Sequence, residues 1–306
     1  MQMQIICNKG CEMKKLLVKL SVLMILPVML IGCSTKSGND NEQSEKVNVM
    51  VSISPLKEFA ERIGGDKIEV STLVPENAEP HDMDFGPKDL EKLMKSQVFV
   101  YNGLGMEHWL ENVEGQIDKD KVKMVDSSTG ADVRVIDGKQ DPHLWLSLRE
   151  ATVQSNNIKN ALIEVDPENK DFYEENYNKF KDELDSLYNE YKDKFASKTQ
   201  KYFMTSHAAF GYLCRDFGLT ENSLHDIFGE GEVTAKKNAG AINYCKEKGI
   251  TVIFSEGSET QKEAETIANE IGGKVEPIYS LETKVEGKSY IEAMRYNLET
   301  IYNSLK

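Results

Sequence analysis

Five histidines, at positions 81, 108, 143, 207 and 225, are the side chains in this 306-residue chain best suited to holding a metal. Neutral imidazole coordinates transition metals through either ring nitrogen. His81 stands in Glu-Pro-His-Asp, His143 in Asp-Pro-His-Leu-Trp and His207 in Thr-Ser-His-Ala-Ala-Phe-Gly-Tyr. Gaps of roughly sixty residues between them exclude a local finger-type motif, so a shared site would have to be assembled by the fold. Zinc would want a fourth ligand, commonly a carboxylate. Glu256 in Phe-Ser-Glu-Gly-Ser and Glu282 in Ser-Leu-Glu-Thr are the two candidates. The same histidines could instead cap helices or hydrogen-bond at strand ends, a choice that spacing alone leaves open.

The elements that would position these groups alternate along the chain. Residues 47–53, 68–73, 98–101 and 122–125 read as strands, with helices over 55–63 and from Pro87 onward. Ser147-Leu-Arg-Glu150 predicts a capping box, opening a helix to about Glu164. Residues 166–198 contain no glycine and place Tyr173, Tyr177, Phe180, Leu184, Leu187, Tyr191 and Phe195 at steps of three and four, the stripe of a long amphipathic helix. Strands at 201–205, near 223–228, 251–255 and 274–280 follow. Helices over 207–217, 233–248, 260–271 and 288–304 alternate with them. Such alternation predicts an α/β protein of two lobes, each a mainly parallel sheet flanked by helices, joined by a long rigid helix. His81, His143 and His207 all fall on the loop side of their strands, where open parallel sheets bind ligands. His207 is expected in the first turn of its helix, where the macrodipole disfavours imidazolium. Two imidazoles from one lobe and one from the other could meet only across an interlobe cleft. His108 and His225 read as surface or packing residues, and Cys214 and Cys245 as buried free thiols on helices.

Composition narrows the classes. Lys and Arg total 37 against 51 acids, a net charge of −14, the wrong sign for a nucleic-acid groove. Met13-Lys14-Lys15 and Lys19 precede a short apolar run, Leu20 to Ile31, which fits a signal peptide and is too short to span a bilayer comfortably. Leu30-Ile31-Gly32-Cys33 then resembles a bacterial lipobox, which implies cleavage before Cys33 and lipid on its sulfur. The expected organisation is a signal peptide over 1–32, with 1–12 an upstream extension, and a lipid-anchored tether over 33–46. An N-terminal lobe at 47–165, a linking helix at 166–198 and a C-terminal lobe at 199–306 complete it. Residues 1–32 carry four lysines and one glutamate, so the remainder is more acidic still.

Several longer stretches resemble the metal-binding solute-binding proteins of ABC transporters for zinc and manganese. They include Ser-Ile-Ser-Pro-Leu-Lys-Glu-Phe-Ala near 52, Leu-Val-Pro-Glu-Asn-Ala-Glu-Pro-His-Asp ending at 82, and Gly-Pro-Lys-Asp-Leu at 86–90. Tyr-Asn-Gly-Leu-Gly-Met-Glu-His-Trp-Leu at 101–110, Asp-Pro-His-Leu-Trp-Leu-Ser at 141–147 and Ser-His-Ala-Ala-Phe-Gly-Tyr at 206–212 continue the series. The resemblance implies a metal in the cleft between the lobes, with ligand roles for His81, His143 and His207. It places the fourth ligand on Glu282, with Glu256 as rival. The implied role is an extracytoplasmic lipoprotein, anchored to the cell membrane through acylated Cys33, that carries Zn2+ to a membrane permease as a monomer. Met83, Asp84 and Phe85 depart from the family pattern after His81, as do Glu232, Val233 and Thr234 in the second half. No histidine occurs in 123–142, so the histidine-rich loop of many zinc importers is missing.

Three imidazoles and a carboxylate suit zinc; manganese would favour more oxygen ligands and remains the alternative cargo. Other classes are a secreted zinc-dependent hydrolase and a surface adhesin. No His-Glu-x-x-His motif and no Ser-His-Asp or Cys-His arrangement supports an enzyme.

Overall fold

The computed structural model describes residues 46–230 and 233–306. The expected leader, Cys33, the tether up to residue 45 and Glu232 lie outside the described residues. Val47-Asn-Val-Met-Val51 shows how the sequence builds the first sheet: period-2 alternation sends Val47, Val49 and Val51 to one face and Met50 to the other. β1 (Val47–Val51) pairs in parallel with β2 (Ile68–Thr72) on one side and β3 (Val98–Tyr101) on the other. β4 (Lys123–Asp126) adds to β3, giving the order β2-β1-β3-β4. Helices α1 (Ser54–Gly64) and α2 (Pro87–Leu93) and a short α3 (Leu110–Val113) provide crossovers. Pro87 occupies the first helical position, where its missing N–H costs nothing.

An antiparallel hairpin, β5 (Val135–Ile136) and β6 (Lys139–Gln140), precedes α4 (Leu148–Val165). Ser147 caps α4 by accepting from the Glu150 amide (3.1 Å), but the predicted box is only half formed. The Glu150 carboxylate pairs instead with Arg215 of the second half (2.5 Å). The long helix, α5 (Lys170–Ser197), spans 28 residues, about 42 Å at 1.5 Å per residue. It buries the predicted stripe except Tyr177, which is half-buried.

The second sheet has the order β10-β9-β7-β8 and is also all parallel. Its strands are β7 (Tyr202–Thr205), β8 (Thr220–Ser223), β9 (Val252–Ser255) and β10 (Lys274–Pro277). Helices α6 (Gly211–Phe217), α7 (Ala235–Lys248) and α8 (Ser258–Ile271) connect them, and α9 (Tyr290–Ser304) closes the chain. Phe203 and Phe254 face the main core, Met204 and Ile253 an outer cluster with Cys245 and Ile267. The main core runs through both sheets and α5 without interruption. The last helix returns to the first half: the Glu58 carboxylate accepts from the Tyr290 amide at its N-terminus (2.7 Å), and Phe59 and Tyr290 meet edge to face at 4.9 Å.

Two predicted boundaries differ. The strand expected near 223–228 is Thr220–Ser223, and residues 224–230 form a turn in which the Asp226 carboxylate accepts from the Phe228 and Glu230 amides. The helix expected from 207 begins at Gly211. The His207 carbonyl is taken by the Thr205 hydroxyl (2.7 Å) and the Ala209 amide, which holds 206–210 as a loop. Among the described residues no helix is long and apolar enough to cross a membrane.

Candidate metal centre

His81, His143, His207 and Glu282 each offer one donor atom, and the four atoms lie within 4.8 Å of one another. Each is delivered by a loop. His81 sits in a tight 3-10 turn (Pro80–Asp82) after β2, where the Glu79 carboxylate accepts from its amide (3.2 Å). His143 precedes another 3-10 turn, Leu144–Leu146, which leads into α4. His207 follows β7 directly, and Glu282 follows β10. The first two come from the half with the first sheet, the others from the half with the second. Phe85, in the departing stretch after His81, stacks on Trp109 at 4.2 Å and fixes that loop to the outer core.

Glu282 is the hub. Its Oε1 lies 3.1 Å from His81 Nε2 and 3.0 Å from His143 Nε2, while its Oε2 accepts from the Ser280 hydroxyl (2.8 Å). The residue before it, Leu281, has φ of +63°, a left-handed conformation that costs a branched side chain about 1–3 kcal/mol. Packing enforces it: the indole N–H of fully buried Trp145 donates to the Ser280 carbonyl (2.7 Å), and the Lys284 amide donates to the Glu76 carbonyl (2.8 Å).

Each second-half or buried imidazole is oriented from behind. His143 Nδ1 lies 2.8 Å from Asp141 Oδ1, and the other Asp141 oxygen accepts from Arg134 (2.8 Å). Tyr212, next to α6's first residue, donates to the Asp141 carbonyl (2.7 Å) and accepts from the Arg134 amide (3.1 Å). Arg134 passes so close over Gly211 that any Cβ there would meet its guanidinium. His207 Nδ1 lies 3.3 Å from Glu256 Oε2. Glu256 therefore backs His207 and is not among the four gathered groups. His207 Nε2 is buried and has no hydrogen-bond partner among the described residues. Such an orphan costs about 1–3 kcal/mol, so it calls for a partner beyond the described residues, such as a bound cation.

Electrostatics ties the group together. Burial works against a charged Glu282, yet hydrogen bonds from His143 and His81 and the charge of His207 hold its carboxyl well below the usual range. Burial also opposes imidazolium at His143, but the bonds to Asp141 and Glu282 outweigh it and raise its pKa. For His207, burial is overcome by the bond to Glu256 and by the charge of Glu282, and the pKa rises to about 10. This corrects the expectation that a helix N-terminus keeps His207 neutral. The helix starts four residues later, and nearby carboxylates dominate. Protons thus hold the places where cation charge would sit.

His108 is exposed, and His225 is half-buried with its Nε2 2.7 Å from Glu263, so neither joins the cluster. Cys214 and Cys245 are buried free thiols on α6 and α7. Sequence reasoning did not single out Asp141, Arg134, Tyr212, Ser280 or Glu221. Glu221, half-buried, accepts from the Phe210 amide (3.1 Å) beneath the His207 loop, and desolvation pushes its pKa up to about 7. The Asp two residues before His143 was a readable signal. So was the Ser two residues before Glu282, whereas Tyr212 reaches Asp141 and Arg134 across more than seventy residues of chain.

Comparison with known proteins gives a consistent picture. The profile of the family described as "Zinc-uptake complex component A periplasmic" matches residues 49–304. The high-affinity zinc uptake system protein ZnuA of Bacillus subtilis is 32% identical over 92% of this chain and 94% of its own length. A metal ABC transporter substrate-binding lipoprotein of Lactococcus lactis is 30% identical, over 91% of this chain and 94% of its own. The laminin binding protein of Streptococcus agalactiae, described as having adhesin and metal-transporting activity, superposes with a TM-score of 0.81 at 29% identity. The match covers 86% of this chain and 100% of that one.

Proposed function

This chain belongs to the zinc-uptake complex component A family, and on that premise we propose that it is an extracytoplasmic lipoprotein that captures Zn2+ and delivers it to an ABC importer permease. In this reading His81, His143 and His207 give nitrogen ligands, Glu282 gives the oxygen, and acylated Cys33 tethers the carrier to the membrane. The observation that carries it is the buried, unanswered Nε2 of His207 beside three donor atoms already gathered. Zinc bonds of about 2.0–2.1 Å to nitrogen make a tetrahedron with edges of roughly 3.3 Å. The Glu282 contacts to His81 and His143, at 3.1 and 3.0 Å, already lie near that edge.

The chemistry favours zinc over manganese, because three imidazoles outnumber one carboxylate. Four protein ligands leave no position for a zinc-bound water, which fits a carrier rather than a hydrolase. A carrier must also release its cargo, and protons returning to His143 and His207, whose pKa values are raised, compete with the ion for their nitrogens.

The test is metal content and affinity for the wild type, E282A and E256A, measured with zinc and with manganese. The wild type should bind one zinc and prefer it to manganese. E282A should weaken zinc by more than about 100-fold, and E256A by about 10–100-fold, as expected for a residue behind a ligand. Loss confined to E256A would transfer the fourth position to that residue. Preference for manganese would overturn zinc as the cargo.

A further inference from the structure

We propose that Phe228 is the gate of the metal centre: a ring that sets how fast the ion enters and leaves without being one of its ligands. This rests on the reading above, that the cluster takes Zn2+. His143 is fully buried and the Glu282 side chain only 4% exposed, whereas His81 and His207 keep 7% and 8% of their side-chain surface. Solvent therefore meets the cluster along these two imidazoles.

Phe228 stands against the first of them. Its ring centroid is 5.5 Å from that of His81, edge-on at 85°, and the ring is half-buried. It rides on the turn after β8, not on a loop that carries a candidate ligand. The tip of that turn is closed on itself: the Asp226 carboxylate accepts from the Phe228 amide (2.9 Å) and the Glu230 amide (3.0 Å), and the Asp226 amide donates to the Glu230 carbonyl (3.1 Å). Its base is fixed, because the His225 amide donates to the Ser206 carbonyl (2.8 Å) and Ile227 is buried, so opening falls to rotation of the Phe228 side chain itself, which leaves the ligand loops in place.

What holds the ring in place comes from the opposite half. Lys139, on the β5–β6 hairpin, sets its ammonium 4.9 Å from the Phe228 ring centroid and 3.9 Å from Asp226 Oδ2. A cation over an aromatic face and beside a carboxylate is a weak, reversible latch, suited to a contact that must open. A phenyl ring has no donor atom for zinc, so removing it leaves all four ligands in place. A barrier that contributes equally to the bound and the free end states changes capture and release together and leaves the equilibrium alone.

Stopped-flow fluorescence tests this on the full chain, because Trp145 lies 5.3 Å from His143 between ring centroids and reports loading. Zinc sulfate times capture, and a chelator in excess times release, for the wild type, F228A, F228W and K139M. F228A should speed both steps by about tenfold with a dissociation constant within about threefold of wild type. F228W should restore slow exchange, and K139M should shift both rates the same way by less. Faster release with unchanged capture would make Phe228 a support for ligand geometry and overturn the gate. Zinc binding with unchanged rates in F228A and K139M would overturn the gate alone, whereas a wild type that takes up no zinc would overturn the functional reading as well.

Discussion

At His207 the protein buries one ring nitrogen that nothing among the described residues answers and sets the other against Glu256. A raised imidazole pKa has a definite consequence for metal binding. His207, at about 10, is protonated at neutral pH in the metal-free protein, and His143 holds its proton to higher pH than a free imidazole. Their contribution to its stability is complete below about pH 6.5 and is lost as pH climbs through the raised values. Zinc needs both nitrogens bare, so apparent affinity should rise between pH 6 and 8 by up to about tenfold per unit for each proton displaced. Calorimetric titration in two buffers of different ionisation heat should show proton release at pH 7; no release would contradict the assignment. Asp141 offers a second prediction: D141N keeps the shape but loses the charge behind His143, and should weaken zinc by about 10–100-fold by equilibrium competition. The three histidines were legible in the sequence because each follows a strand end in an alternating α/β pattern. Asp141, Arg134 and Tyr212 were not, because their joint action needs two halves of the chain in contact. Topology alone did not choose between Glu282 and Glu256. Family resemblance favoured Glu282, and the structure gathers Glu282 with the histidines while Glu256 stands behind His207.

Loops and helix ends, rather than helices and strands, hold the centre. The sheets were readable because β-branched and aromatic residues alternate in β1 and β7, and α5 because its apolar stripe keeps helical steps. β8 was not, since Thr-Glu-Asn-Ser is a polar edge strand whose signal is weaker than that of the apolar residues just after it. Leu224 and Ile227 are indeed buried, but from a turn. Gly211 marks one close approach of the two halves at element scale. G211A adds a methyl group where the Arg134 guanidinium lies, so Arg134 must leave Asp141. We expect a loss of about 1–2 kcal/mol in chemical denaturation and weaker zinc binding. An R134A background should absorb most of the stability effect, and equal loss in both backgrounds would refute the contact.

Across the whole molecule, two parallel sheets share one core with α5 while their carboxyl-end loops meet at the metal centre. A ligand that binds only the folded chain stabilises it by mass action. Zinc at about a thousand times its dissociation constant should contribute about 4 kcal/mol, which for a chain of this size raises Tm by roughly 10 °C. Thermal scans should show this shift for the wild type and lose most of it for E282A. Loading also has a geometric requirement, because donors spread over as much as 4.8 Å must close to edges of roughly 3.3 Å, a contraction of up to about 1.5 Å. The central claim is that one zinc ion is held by three imidazoles and one carboxylate drawn from both halves. The most direct test is a crystal structure of the zinc-loaded protein with anomalous data at the zinc edge. The account predicts a single four-coordinate ion bound by His81, His143, His207 and Glu282. An ion bound elsewhere, or one completed by Glu256 or a water in place of Glu282, would contradict it.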